Sequence, residues 1–264
     1  MDKIWQIYRI HLYSIYGEKG EILMWAINGA AVGSVSALPW LLLGTIQSDI
    51  NGRPIQAIAM YYLLTFLMWY ITGGSFGWGV ANLIKKGELT NFLTRPYFPL
   101  AYPIIGEQAW KTLGLIISLP IFLIIINATI GLNLSFINQN SILNWLILIP
   151  ATIVIFGLLE FIKGITAFWL IKVSGVFNLF DMFSLLFGGL IAPLYLLPNW
   201  LQIISKYLPF QYIFGFPNAV LTGQIQASEF NYGLIMSYVW VIILLVIAVI
   251  MYKLGIKKYE SIGN

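Results

Sequence analysis

Long stretches without a single charge constrain this chain more than any other feature. No Asp, Glu, Lys or Arg occurs from Ile22 to Gln47, from Pro54 to Ile84, from Thr112 to Leu159, or from Phe230 to Tyr252. About 20 apolar residues cross about 30 Å of hydrocarbon as a helix. A helix also satisfies its own backbone N–H and C=O groups where no water is present to do so. Each run is therefore a candidate membrane span. Composition agrees, with 59% hydrophobic residues, 9% charged residues and a mean hydropathy of +0.85; an ordinary water-soluble domain is about one quarter charged.

Counting follows from where polar residues interrupt the runs. Asn127, Gly131, Asn133, Asn138, Gln139, Asn140 and Asn144 divide the Thr112 to Leu159 stretch into two spans joined by a polar turn. Val173 to Leu197 supplies a fifth span carrying Asp181, and Phe230 to Tyr252 a sixth. Between them, Tyr207 to Ser228 is uncharged but punctuated by Pro209, Gln211, Pro217, Asn218 and Gly223, which suits a broken re-entrant or interfacial hairpin. The expected fold is an all-α integral membrane protein, one transmembrane domain over residues 1–264. Its six transmembrane helices span about 22–46, 55–80, 104–127, 142–168, 174–197 and 230–253, with a re-entrant helical hairpin at about 198–226.

Ahead of the first span, Ile4, Trp5, Ile7, Tyr8, Leu12 and Ile15 recur at helical spacing among Lys3, Gln6, Arg9 and Ser14. This pattern predicts an amphipathic elbow helix at about 2–18 in the headgroup layer, the alternative being a frayed extension of span one. Glu18, Lys19 and Glu21 separate it from the first apolar run, so a cleaved signal peptide is not expected. With both termini on one side, that side receives Lys3, Arg9, Lys19, Lys85, Lys86, Arg95, Lys172, Lys253, Lys257 and Lys258, and the other only Arg53 and Lys206. The positive-inside rule makes the first side cytosolic, and a bacterial inner membrane is the expected location.

Several chemistries have no residues to support them. There is no cysteine and one histidine, His11, so thiolate sites, a His-based metal cluster and a Ser-His-acid triad are not expected. No G-x-x-x-x-G-K phosphate loop occurs, and any ATP and Mg would have to sit on another subunit. The chain is not expected to be an enzyme itself, and a net charge of +4 is too sparse for nucleic acid.

Four places carry more specific signals. The segment at about 82–99, within ANLIKKGELTNFLTRPYFPLAYP from Ala81, mixes Lys85, Lys86, Glu88 and Arg95 with Leu83, Ile84, Leu89, Phe92 and Leu93 before Pro96, Pro99 and Pro103 end any helix. It reads equally as a topology anchor or as a docking helix for a cytosolic partner. Pro193, Pro198, Pro209 and Pro217 concentrate between Gly188 and Gly223, where freed backbone must be buried in protein or face water; a simple cap on the bundle is the plainer reading. Glu107 with Lys111, and Glu160 with Lys163, place opposite charges on one helix face, and Asp181 lies in span five. Pairing with snorkelling accounts for them better than a proton relay. Gly29 with Gly33, and Gly73 with Gly77, are small-residue faces for close helix packing within the chain.

The chain resembles the permease subunits of type-2 ABC exporters, in the branch of six-span permeases paired with a separate ATPase. The resemblance rests on an elbow helix leading to EILMWAING, on GELTNFLTRPYFPLAYPIIGEQAWK, on ITAFWLIKVSGVFNLF, and on FGGLIAPLYLLPNWLQIISKYLPFQYIFGFPNAVLTG, and it runs along essentially the whole chain. It implies that the segment after span two docks in a groove of the ATPase, with Lys85, Lys86, Gly87, Glu88, Leu89, Asn91, Phe92 and Arg95 as coupling residues. It implies short outer helices that close the path, with Trp200, Phe210, Tyr212 and Phe214 as gate aromatics. It also implies a path between two permeases, identical or related, walled in part by Tyr61, Tyr62, Trp69 and Tyr70, and two copies of the ATPase. The alternatives are an ion-coupled carrier or channel without an ATPase, which would need titratable residues near the midplane, and a membrane scaffold that transports nothing. No cluster in the sequence selects the substrate.

Overall fold

The computed structural model describes residues 2–17, 19–50, 52–93, 97–129, 137 and 139–262. The chain opens with α1 (Asp2–Tyr16) and α2 (Lys19–Leu43), which carries Pro39 near its C-terminal end. A minimal hairpin of β1 (Asp49–Ile50) and β2 (Arg53–Pro54) turns at Gly52, whose φ of 75° suits glycine. It returns the chain into α3 (Ile55–Thr72), followed by α4 (Phe76–Lys85) and the single turn α5 (Thr90–Leu93). Then come α6 (Ala101–Thr129), α7 (Gln139–Ile165) with a 3-10 turn at Thr166–Phe168, and α8 (Ser174–Phe187). Short pieces follow: a 3-10 turn Leu194–Leu196, α9 (Asn199–Lys206), a 3-10 turn Phe210–Tyr212 and α10 (Gly215–Leu221). The last helix is α11 (Ala227–Ile262).

Among the described residues, five helical segments are long and apolar enough to cross a membrane: α2, α3 with α4, α6, α7 and α11. The protein is an all-α, multi-pass membrane protein. The expected fifth span is shorter than the apolar run around it. Its helix stops at Phe187, and 14 residues at 1.5 Å each reach only about 21 Å. Gly188 and Gly189 end it, Gly189 with φ 80°, and the Gly188 carbonyl accepts the Gly215 N–H at 2.8 Å. The 188–226 segment thus folds back on the end of α8 as a series of short helices.

Span two is the central post. Of its apolar window 72% is buried, against 17–33% for the other four, because α2 and α6 pack on one side of α3 while α7 and α10 pack on the other. Gly29 and Gly33 let α2 approach closely enough to seat the Phe66 ring, which is small-residue packing inside the chain as the spacing predicts. A second core joins α7, α10 and α11 through Ile155, Phe214, Val220 and Leu244. The amphipathic α1 lays Ile15, Tyr8 and Leu12 on α6, and Tyr8 Oη donates to Thr112 Oγ1 at 2.8 Å. A third core at the lysine-rich end gathers Phe76, Val80, Ile84, Leu89, Leu100, Ile165 and Phe168.

Candidate functional site at the break in span two

Span two is interrupted at Gly73, Gly74 and Ser75. Gly73 is extended and Gly74 has a φ of 143°, a conformation other residues rarely adopt. A break at this depth frees carbonyls at the end of α3 and N–H groups at the start of α4, and hydrocarbon offers them no partner. The intramembrane charges supply those partners. Lys111 Nζ donates to the Thr72 carbonyl at 3.0 Å, so a cation meets a helix C-terminus. Glu160 Oε2 accepts the Gly77 N–H at 3.2 Å, and the Glu107 carboxylate faces the Ser75 N–H, so two anions meet a helix N-terminus. A Cβ added at Gly74 would stand 2.7 Å from Glu107 Oε1, and one at Gly77 2.7 Å from Glu160 Oε2. Both glycines leave room for the carboxylates.

This arrangement revises the pairing read from spacing. Glu160 and Lys163 do form an ion pair on one face of α7. Among the described residues no direct ion pair joins Glu107 to Lys111, whose ammonium donates to the broken backbone while still attracting the nearby Glu107 carboxylate. Asp181, isolated in the sequence, reaches Lys163 Nζ at 3.3 Å. The second small-residue pair, Gly73 and Gly77, is likewise a break and a carboxylate seat more than a packing face.

The cluster borders a cavity of about 480 Å³ between the break, α7 and α8, walled by Trp69, Trp78, Phe156, Phe177, Asp181 and Phe214. Trp78 stacks on Phe177 at 4.1 Å, and Lys163 Nζ stands 4.9 Å from the same ring. Of the four wall residues named from the sequence, Trp69 lines this cavity and is half exposed. The other three turn into protein. Tyr61 is fully buried and donates to the Gly189 carbonyl at 2.7 Å; Tyr62 donates to the Ile191 carbonyl at 3.0 Å; Tyr70 is buried with its ring stacked on Trp110. Two tyrosines thus fasten span two to the segment after α8.

The outer aromatics divide similarly. Trp200 on α9 is exposed, whereas Phe210, Tyr212 and Phe214 are buried. Tyr212 Oη donates to the Lys206 carbonyl at 2.7 Å, and Phe214 stacks on Trp69 at 6.1 Å. Sequence reasoning missed Arg53, which donates to the Gln224 carbonyl and side chain at 2.7 and 3.0 Å and covers the Tyr195 ring at 4.1 Å. Its signal was available: a lone arginine on the side of the membrane otherwise poor in cations.

At the opposite end, α4 stops at Lys85 with Lys86 as its cap, and the chain turns at Gly87, φ 73°, before α5. Lys85, Lys86, Gly87, Glu88 and Asn91 are exposed. Leu89 is fully buried in this chain's own third core, so it anchors the segment to the bundle from below. Phe92 is half-buried, 5.6 Å from the Tyr102 ring. Arg95 lies outside the described residues. Among the described residues no three His, Cys, Asp or Glu side chains gather to hold a metal.

A comparison with curated proteins gives no match. A family model described as ABC-2 family transporter protein matches residues 31–263, from the middle of span one to the end of α11. That stretch contains the broken span, the charge cluster, the exposed α4–α5 turn and the outer short helices. The chain belongs to the ABC-2 transporter family and is a membrane permease of an ABC transporter.

Proposed function

We propose that this chain is the membrane-spanning subunit of an ATP-driven exporter in a bacterial inner membrane, with both termini cytosolic. It forms a path with a second permease, identical or related, and is driven by two copies of a separate ATPase that carries the ATP and Mg. The observation that carries this reading is the exposed polar turn of Lys85, Lys86, Glu88 and Asn91, held firm by buried Leu89 and continuous with span two. A turn mounted this way transmits a push: movement of a docked ATPase displaces α4, and α4 meets α3 at a glycine break. ATP shifts the permease between states only as far as it binds one state of the complex better than another. The 480 Å³ cavity beside the break, with Trp69 in its wall, is the part of the permease that such a displacement would reshape.

Purification from native membranes tests the reading. An ATP-binding subunit should accompany the permease, and Glu88→Arg should weaken that association without altering the fold. A permease that transports in vesicles with no ATP-binding partner would overturn it. One observation favours the ion-coupled reading: the intramembrane charges converge on a discontinuous helix, as in many carriers. Their hydrogen bonds to the broken backbone give the same residues a structural task. Export that follows an imposed ion gradient and ignores ATP would decide for the carrier.

A further inference from the structure

A groove of about 600 Å³ opens on the flank of the bundle between α6, α7 and α11. Its floor and walls include Phe76, Gly157, Phe161, Leu245, Ala248 and Val249, and its lysine-rich end is framed by Phe98, Tyr252 and Lys253. We propose that this groove is a binding site for an anionic phospholipid, one acyl chain lying along α11 and the phosphate meeting Lys253.

Length, lining and charge each point to that ligand. Along α11 the groove runs from Leu245 to Lys253, about 12 Å at 1.5 Å per residue. Half of a hydrocarbon core about 30 Å thick is about 15 Å. The groove therefore matches the tail of one leaflet. Leu245 and Val249 are half exposed, so the groove is open toward the membrane, with buried Lys111 on its inner wall. Lys253 is exposed where the tail would end, and Lys257 follows one helical turn later, also exposed. Basic residues at the end of a helix-lined groove suit a lipid phosphate.

Gly157 makes the proposal testable without breaking the fold. A Cβ there meets no atom within 4 Å, so a side chain added at this position starts in open space beside the groove. The purified permease, stripped of lipid and titrated in detergent with phosphatidylglycerol or phosphatidylcholine, is read by native mass spectrometry. The wild type should retain phosphatidylglycerol preferentially. Gly157→Phe should lose the tightly held lipid while eluting as a monodisperse, folded protein. Lys253→Gln should bind phosphatidylglycerol about fivefold more weakly and phosphatidylcholine unchanged. Glycerol phosphate, a headgroup without tails, should not compete. Full lipid retention by Gly157→Phe, or equal affinity for both lipids in the wild type, would overturn the proposal. So would Gly157→Phe splitting a permease dimer while keeping its lipid, which would assign the groove to a second copy.

Discussion

Removing both carboxylates that face Lys163 should cost more than the two single replacements together. The ammonium is buried, paired with Glu160 on its own helix and with Asp181 on α8 at 3.3 Å. Glu160→Gln keeps an oxygen for the Gly77 N–H and leaves Asp181 as counter-ion, so the loss is one charge-assisted contact, about 1.5 kcal/mol. Asp181 has a side chain 67% exposed, and Asp181→Asn should cost about 0.5 kcal/mol. The double variant leaves a buried ammonium without any anion, for which roughly 4 kcal/mol is typical. A coupling of about 2 kcal/mol therefore remains after the single effects are subtracted. Reversible SDS titration of the four proteins in mixed micelles measures it. A double variant within about 0.5 kcal/mol of additivity would refute the idea that the two carboxylates share one cation.

Leu89→Ala should destabilise the permease itself by roughly 3 kcal/mol, because it empties a buried site, whereas Lys86→Ala on the exposed turn should leave unfolding unchanged. Gly164→Ala would put a Cβ 2.7 Å from the Gly77 carbonyl and 2.8 Å from Val80 Cβ, forcing α7 from α4; a loss of about 2 kcal/mol in the same titration is expected. His11 packs against Tyr102, its Nε2 has no hydrogen-bond partner among the described residues, and burial holds its pKa below the ordinary 6.5. Because the folded-state pKa is the lower one, its contribution is intact above about pH 6.5 and is lost as pH falls through the folded value. Acidification should loosen α1 from α6, seen as a change in tryptophan emission, and His11→Phe should abolish that pH dependence.

The apolar runs revealed the helices because hydrocarbon imposes a length and forbids unpaired charge, and both constraints are written in the composition. They did not reveal where a helix stops inside an apolar run. Gly188 and Gly189 end α8 within a stretch as uncharged as any true span, and Gly73 and Gly74 break span two in the same silent way. The charges were visible one by one, and spacing paired Glu160 with Lys163 correctly. It could not show that Lys111 and Glu107 serve the backbone of a neighbouring helix, because that partner is made by a break without polar side chains. The sequence placed Leu89 among the apolar residues after span two, and the resemblance placed Tyr61 in the path wall, but neither shows which surface covers them. One is held by this chain's own core, and the other by the carbonyl of Gly189.

The proposed exporter stands most directly on where the α4–α5 turn makes its contact. The absence of native cysteine allows Glu88→Cys to be labelled uniquely with a photoreactive maleimide in native membranes. Illumination should join the permease to an ATP-binding subunit, with a yield that changes when ATP is added, while a cysteine placed at Asp49 on the opposite end should not. Complete labelling of a correctly inserted Glu88→Cys permease with no cross-link to any ATP-binding protein would contradict the account.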